Sequence, residues 1–138
     1  MKPDPEYLKQ LLTAFQSAPN PTTDIRELKA AGLPFDDPRF EFHMMQLKDD
    51  GFVECAGERS AIDQTGIGLS KSADGSSMWS VVPLRLTASG HKFAEAMGNN
   101  TVLQTLKEKF VGASLSTIHE VAMAIIKGQI AKHTGLHA

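Results

Sequence analysis

Between Arg39 and Ser77 lie the residues best suited to bind something. Arg39 has the donor fork that matches a guanine edge, and Gln46 matches adenine. Lys48 and Lys71 suit phosphate, and Ser72, Ser76 and Ser77 offer small hydroxyl donors. Arg59 and Arg85 are further phosphate candidates, and His43 falls in the same stretch. Interleaved with these are Glu41, Phe42, Met45, Asp49 and Asp50, an acidic and apolar set that suits protein contact better than DNA contact. The stretch therefore offers two chemistries, duplex DNA or a protein partner.

Residues for catalysis or metal binding do not converge. Gly66-Ile67-Gly68 lacks the remaining glycine of a phosphate loop. No serine sits in a Gly-x-Ser-x-Gly elbow. His119-Glu120 lacks the rest of a zinc-protease motif, and His133 and His137 flank Gly135 near a chain end. The lone Cys55 lies in a strand-like context and reads as a small buried hydrophobe. No catalytic residue, metal site or cofactor is expected.

Composition bounds the partners. The chain has 138 residues, 41% of them hydrophobic, with 14 basic against 16 acidic groups. That is enough for one domain with its own core. Residues 1–55 carry six basic and ten acidic groups, net −4; residues 56–99 carry four of each; residues 100–138 carry four basic and two acidic, net +2. The end that would read DNA is the acidic end, whereas DNA readers advertise basic faces. One cysteine excludes an intrachain disulfide framework. Absence of a long apolar run argues against a membrane span, so a soluble, cytoplasmic protein is expected.

The elements that would position these residues read clearly. Asp4 caps a first helix with Pro5 at its first position, and Tyr7, Leu8, Leu11, Leu12 and Phe15 share one face. A short second helix starts near Thr22–Asp24, turns Ile25 and Leu28 inward and stops at Gly32. A third begins at Asp36 or Asp37 with Pro38, buries Phe40, Met44 and Leu47, and ends at Gly51. It would span about 18–20 Å. Strands are predicted near residues 53–56, 66–70 and 77–82, with a hairpin tip at residues 71–76 and Trp79 as a core or hairpin-covering residue. Pro83 suits the end of an edge strand.

Thr87 caps a fourth helix, with Gly90 in its first turn for close approach to a neighbouring backbone. A fifth helix carries Val102, Leu103, Leu106 and Phe110. The sixth carries Leu115, Ile118, Ala122, Ile125 and Ile126 as a wide apolar stripe, which suits either intrachain packing or a two-fold dimer seam. A homodimer is favoured.

This order of helix, strand, polar hairpin, strand and helix is that of a winged helix. The fold class is α+β, mainly helical: a winged helix-turn-helix over residues 1–98 with a small antiparallel wing sheet, and a helical extension over residues 99–138. Leu84-Arg85-Leu86-Thr87-Ala88-Ser89-Gly90-His91-Lys92-Phe93 carries a family resemblance. So do Thr101-Val102 and the run Lys107-Glu108-Lys109-Phe110-Val111-Gly112-Ala113-Ser114-Leu115. The pattern His43-Met44-Met45-Gln46-Leu47 before Gly51-Phe52 also fits. On these stretches the chain resembles the domain of unknown function 2513 family of bacterial and phage winged-helix proteins. The resemblance implies that fold and a bacterial or prophage setting, and brings no catalytic residues.

The leading expectation is a non-enzymatic DNA-binding regulator. Its third helix would enter the major groove through Arg39, His43, Gln46 and Lys48, with Lys71 and Ser72 touching the flanking backbone. The rival is a protein-interaction module, such as a phage-encoded inhibitor of a host factor, docking through Glu41, Phe42, Met45, Asp49 and Asp50.

Overall fold

Helix capping sets the layout. The computed structural model describes residues 1–58 and 63–134. Asp4 accepts the amides of Glu6 and Tyr7 at the start of α1 (Pro5–Gln16), and Asp24 those of Arg26 and Glu27 at the start of α2 (Ile25–Ala30). Asp37 accepts the Arg39 amide at the start of α3 (Pro38–Asp49). Each supplies an acceptor to amides that have none within the helix. Gly32 and Gly51, at φ +92° and +77°, turn the chain out of α2 and α3, a conformation costly for residues with a Cβ.

After α3 come β1 (Val53–Cys55), β2 (Leu69–Lys71), β3 (Ser77–Trp79) and β4 (Leu84–Leu86). Then follow α4 (Ala88–Met97), α5 (Asn100–Lys109) and α6 (Leu115–Thr134). The chain is α+β, with two small antiparallel sheets among the described residues. β1 pairs with β4, Val53 opposite Leu86 and Cys55 opposite Leu84. Thr23 extends this pair by exchanging two backbone hydrogen bonds with Leu84, at 2.8 and 2.7 Å. β2 pairs with β3, Leu69 opposite Trp79, and Gly75 turns the tip at φ +85°.

Two strand expectations change. The stretch expected as a strand from residue 66 begins only at Leu69. Asp63 accepts the amides of Gly66 and Gly68 at 2.9 Å each, and both glycines have positive φ. That tight loop cannot join a ladder. The strand expected over residues 77–82 ends at Trp79, and Leu84–Leu86, beyond Pro83, forms a separate strand. Arg59 lies outside the described residues, as do Gly135 and His137.

One core runs through the chain. α1 packs on α4 and α5, and α6 on α4 and α5. Phe40, Phe93, Leu8, Leu11, Leu12 and Met44 are fully buried there. Leu115, Ile118 and Ala122 are buried in the same core, and Ile125 and Ile126 are half-buried against it. The expected dimer seam is therefore corrected: its first three residues face inward, because the stripe covers α4 and α5 of its own chain.

A tight knot joins α3 to α4. The Phe52 carbonyl accepts the Thr87 amide at 3.0 Å, and the Thr87 hydroxyl donates to the Gly51 carbonyl at 2.6 Å. A Cβ on Gly90 would lie 2.0 Å from the Phe52 oxygen. Gly90→Ala should therefore lose about 3 kcal/mol of unfolding free energy in urea melts. Gly128→Ala, in α6 with nothing within 4 Å of the added methyl, should gain about 0.5–1 kcal/mol.

Candidate functional site

The β2–β3 hairpin lies against the first half of α3, and one carboxylate joins them. Glu41 accepts the Lys71 ammonium at 2.9 Å and the Ser77 hydroxyl. Lys71 donates further to the Ser77 hydroxyl at 2.7 Å. The Ser77 hydroxyl and then Lys71 hold the Glu41 carboxyl below its ordinary pKa. Beneath, the Trp79 ring meets Phe40 edge-on at 5.2 Å between centroids.

Among the described residues, each cation expected to meet DNA is matched internally. Arg39 lies on Asp37, with nitrogen–oxygen distances of 2.8, 3.2 and 3.3 Å. Its guanidinium also sits over the Tyr7 ring at 5.0 Å. Lys48 meets Asp49 at 3.7 Å, Lys71 is held by Glu41, and Arg85 pairs with Glu54 at 3.0 Å across β1 and β4. Ser72 is exposed at the hairpin tip, and Ser76 donates to Asp74 at 2.7 Å.

His43 is absent from the outward face of α3, which corrects its expected role. It is buried, 1% exposed. Its Nε2 accepts the Asp4 amide at 2.9 Å, and its Nδ1 stands 2.7 Å from the Arg39 carbonyl. An amide donor needs a lone pair, so the proton is on Nδ1 and the ring is neutral. Tyr7 stacks on it at 4.6 Å and Phe42 meets its edge at 5.2 Å. Burial pushes the His43 pKa down, against the raising effect of the Arg39 carbonyl. Tyr7 itself is pushed up to about 12, chiefly by burial and then by Asp37.

A groove of about 700 Å³ opens between α3 and the hairpin. Its apolar walls include Met1, Phe35, Phe42, Met45 and Trp79, and its charged side chains among the described residues are Asp36, Asp37 and Glu41. Gln46 and Ser77 add neutral polar atoms. Of the residues expected to form a protein-docking set, Glu41, Phe42 and Met45 come together here. Asp49 and Asp50 do not: they sit at the other end of α3, where Asp50 lines a separate depression with Phe52, Lys92 and His119. Phe35 and Asp36 were missed as site residues. Their one signal is an aromatic between Pro34 and two carboxylates, outside any periodic stripe.

Among the described residues no group of three or more His, Cys, Asp or Glu side chains is arranged to hold a metal, and no helix is long and apolar enough to cross a membrane. Compared with protein-family models, with curated proteins and with solved structures, the chain matches none.

The neutral His43 ring gives a pH prediction. Its folded-state pKa lies below the ordinary value of 6.5. The stability it contributes is thus full above the unfolded value and is lost as pH falls through the folded one. Protonation would set a second donor against the Asp4 amide. The urea midpoint should fall as pH drops below about 6.5, and His43→Gln should flatten that fall. A wild-type ring whose NMR titration midpoint lies above the ordinary histidine value would contradict the assignment.

Proposed function

We propose that this chain is a non-enzymatic winged-helix binding protein whose α3–hairpin face docks a protein partner. The element order supports the winged-helix reading: α3, β1, a hairpin and β4, with Thr23 joined to Leu84 of β4 by an isolated bridge.

One observation carries the choice of partner. Among the described residues the face holds Arg39, Lys48 and Lys71 against Asp36, Asp37, Glu41, Asp49, Asp50 and Asp74, three cations to six carboxylates. All three cations are paired with carboxylates of their own chain. Phosphate neutralisation supplies most affinity for a duplex, and a face with net charge −3 repels it. The same face holds aromatic walls and methionine, which suit a protein surface.

A second reading, a DNA-binding regulator, is favoured by the outward position of Arg39 on α3 beside the hairpin. The Arg39 side chain is 56% exposed despite its ion pair, and exposed pairs are cheap to exchange.

The two readings separate in a fluorescence-anisotropy titration of the full chain with duplexes from its own upstream region. Docking predicts no binding tighter than about 10⁻⁴ M, the weak end of non-specific affinity. Tight binding that falls steeply with salt and disappears in Arg39→Ala plus Lys48→Ala would replace docking with the DNA reading.

A further inference from the structure

The α3–hairpin groove carries a specific kind of occupant. Resting on the docking reading above, we propose that it receives a short partner segment in which a lysine or arginine stands beside a bulky apolar side chain.

Charge sets the first requirement. Among the described residues, the groove's ionisable side chains are the carboxylates of Asp36, Asp37 and Glu41, with no lysine, arginine or histidine; Met1 also lines it. Asp37 and Glu41 already hold the chain's own cations, Arg39 and Lys71. Asp36 is exposed and has no ion-pair partner among the described residues. It is the vacant acceptor. An acidic segment would bring like charges together, which disfavours it.

The walls set the second requirement. Phe35, Phe42, Met45 and Trp79 are all half-buried, so each leaves part of its apolar surface open. Aromatic faces attract cations as well as apolar groups, and the Phe35 ring already has the Lys29 ammonium 5.6 Å from its centroid. Methionine adapts its shape to what it covers. A purely apolar segment would cover these walls but desolvate Asp36 without a partner, which is unfavourable. A bare cation would satisfy Asp36 and leave the walls wet. A segment with both features meets both conditions, and the groove's volume suits a few side chains rather than a whole domain face.

Trp79 is the only tryptophan in the chain and lines the groove, so its emission reports occupancy. The probe is a phage-displayed random peptide library without tryptophan, selected against the full chain and followed by synthesis of the enriched peptides. They are expected to place lysine or arginine next to leucine, phenylalanine or tyrosine and to shift Trp79 emission. Asp36→Lys should weaken them about tenfold or more, and Asp36→Asn less. Asp37, not Asp36, is the helix cap, so both variants should keep the wild-type circular dichroism. Glu95→Lys, on exposed α4 surface, should leave binding unchanged.

Enriched peptides that are acidic or uncharged, or that leave Trp79 emission and the Asp36→Lys affinity unaltered, would overturn the proposal. So would a selection that enriches nothing. These results, with DNA still unbound, remove the groove and leave protein docking standing. Salt-steep duplex binding lost in Arg39→Ala plus Lys48→Ala would remove the docking reading itself.

Discussion

The candidate site depends on one carboxylate. Glu41 projects from the first turn of α3 and meets Lys71 and Ser77, which stand opposite each other on β2 and β3. A two-stranded hairpin is marginal alone; this one is fixed by Glu41 on its polar side and by Trp79 against Phe40 on its apolar side. The groove is the space those two contacts leave between helix and hairpin. Glu41 is 28% exposed and Lys71 45%, so the pair is partly screened by water, and its worth lies more in fixing geometry than in stability.

Helix α3 can afford an acidic outward face because its inward face is over-determined. Phe40, Met44 and Leu47 fill the core, and His43 ties the helix to the start of α1 through the Asp4 amide. At the other end, Gly51 and Phe52 are bound to Thr87 and pressed by Gly90. A helix held at both ends keeps its surface charges in fixed relation. Pairs such as Arg39 on Asp37 therefore recur as geometry and not as chance encounters.

Much of this was legible in the sequence because it is local. Asp4 and Thr87 announce their helices; Asp24, named with Thr22 and Thr23, is the residue that caps the second, and Asp37, named with Asp36, the one that caps the third. Gly90 announced a close approach. The residues facing inward on the first three helices follow from helical periodicity alone, His43 excepted. What failed was non-local or depended on a competing acceptor. The burial of His43 depends on an amide 39 positions away, which helical periodicity does not show. The late start of β2 depends on Asp63 capturing two glycine amides. The α6 stripe looked the same whether it met its own chain or a second copy, and periodicity cannot choose between those. One site feature was within reach: Asp24-Ile25-Arg26 and Asp37-Pro38-Arg39 share a spacing in which the capping aspartate also holds the arginine two residues on. That pattern alone would have tied Arg39 to Asp37.

The choice between partners turns on which charges stay behind, not on which are tied up. An exposed ion pair is worth about 0–1 kcal/mol, so a phosphate could draw Arg39 or Lys71 away at little cost. Doing so would strip Asp37 and Glu41 of their counter-charges and leave them facing a polyanion. Each cation given to DNA thus exposes a carboxylate to it, and the face gains no net attraction from the exchange. A cationic segment of a protein meets the opposite situation: Asp36 is already vacant, Asp37 and Glu41 can keep their partners, and the open aromatic surface adds burial. The asymmetry arises from the carboxylates being anchored. Asp37 is fixed by capping α3, Glu41 by the hairpin, and neither can swing aside to admit a phosphate backbone without loosening the element it holds.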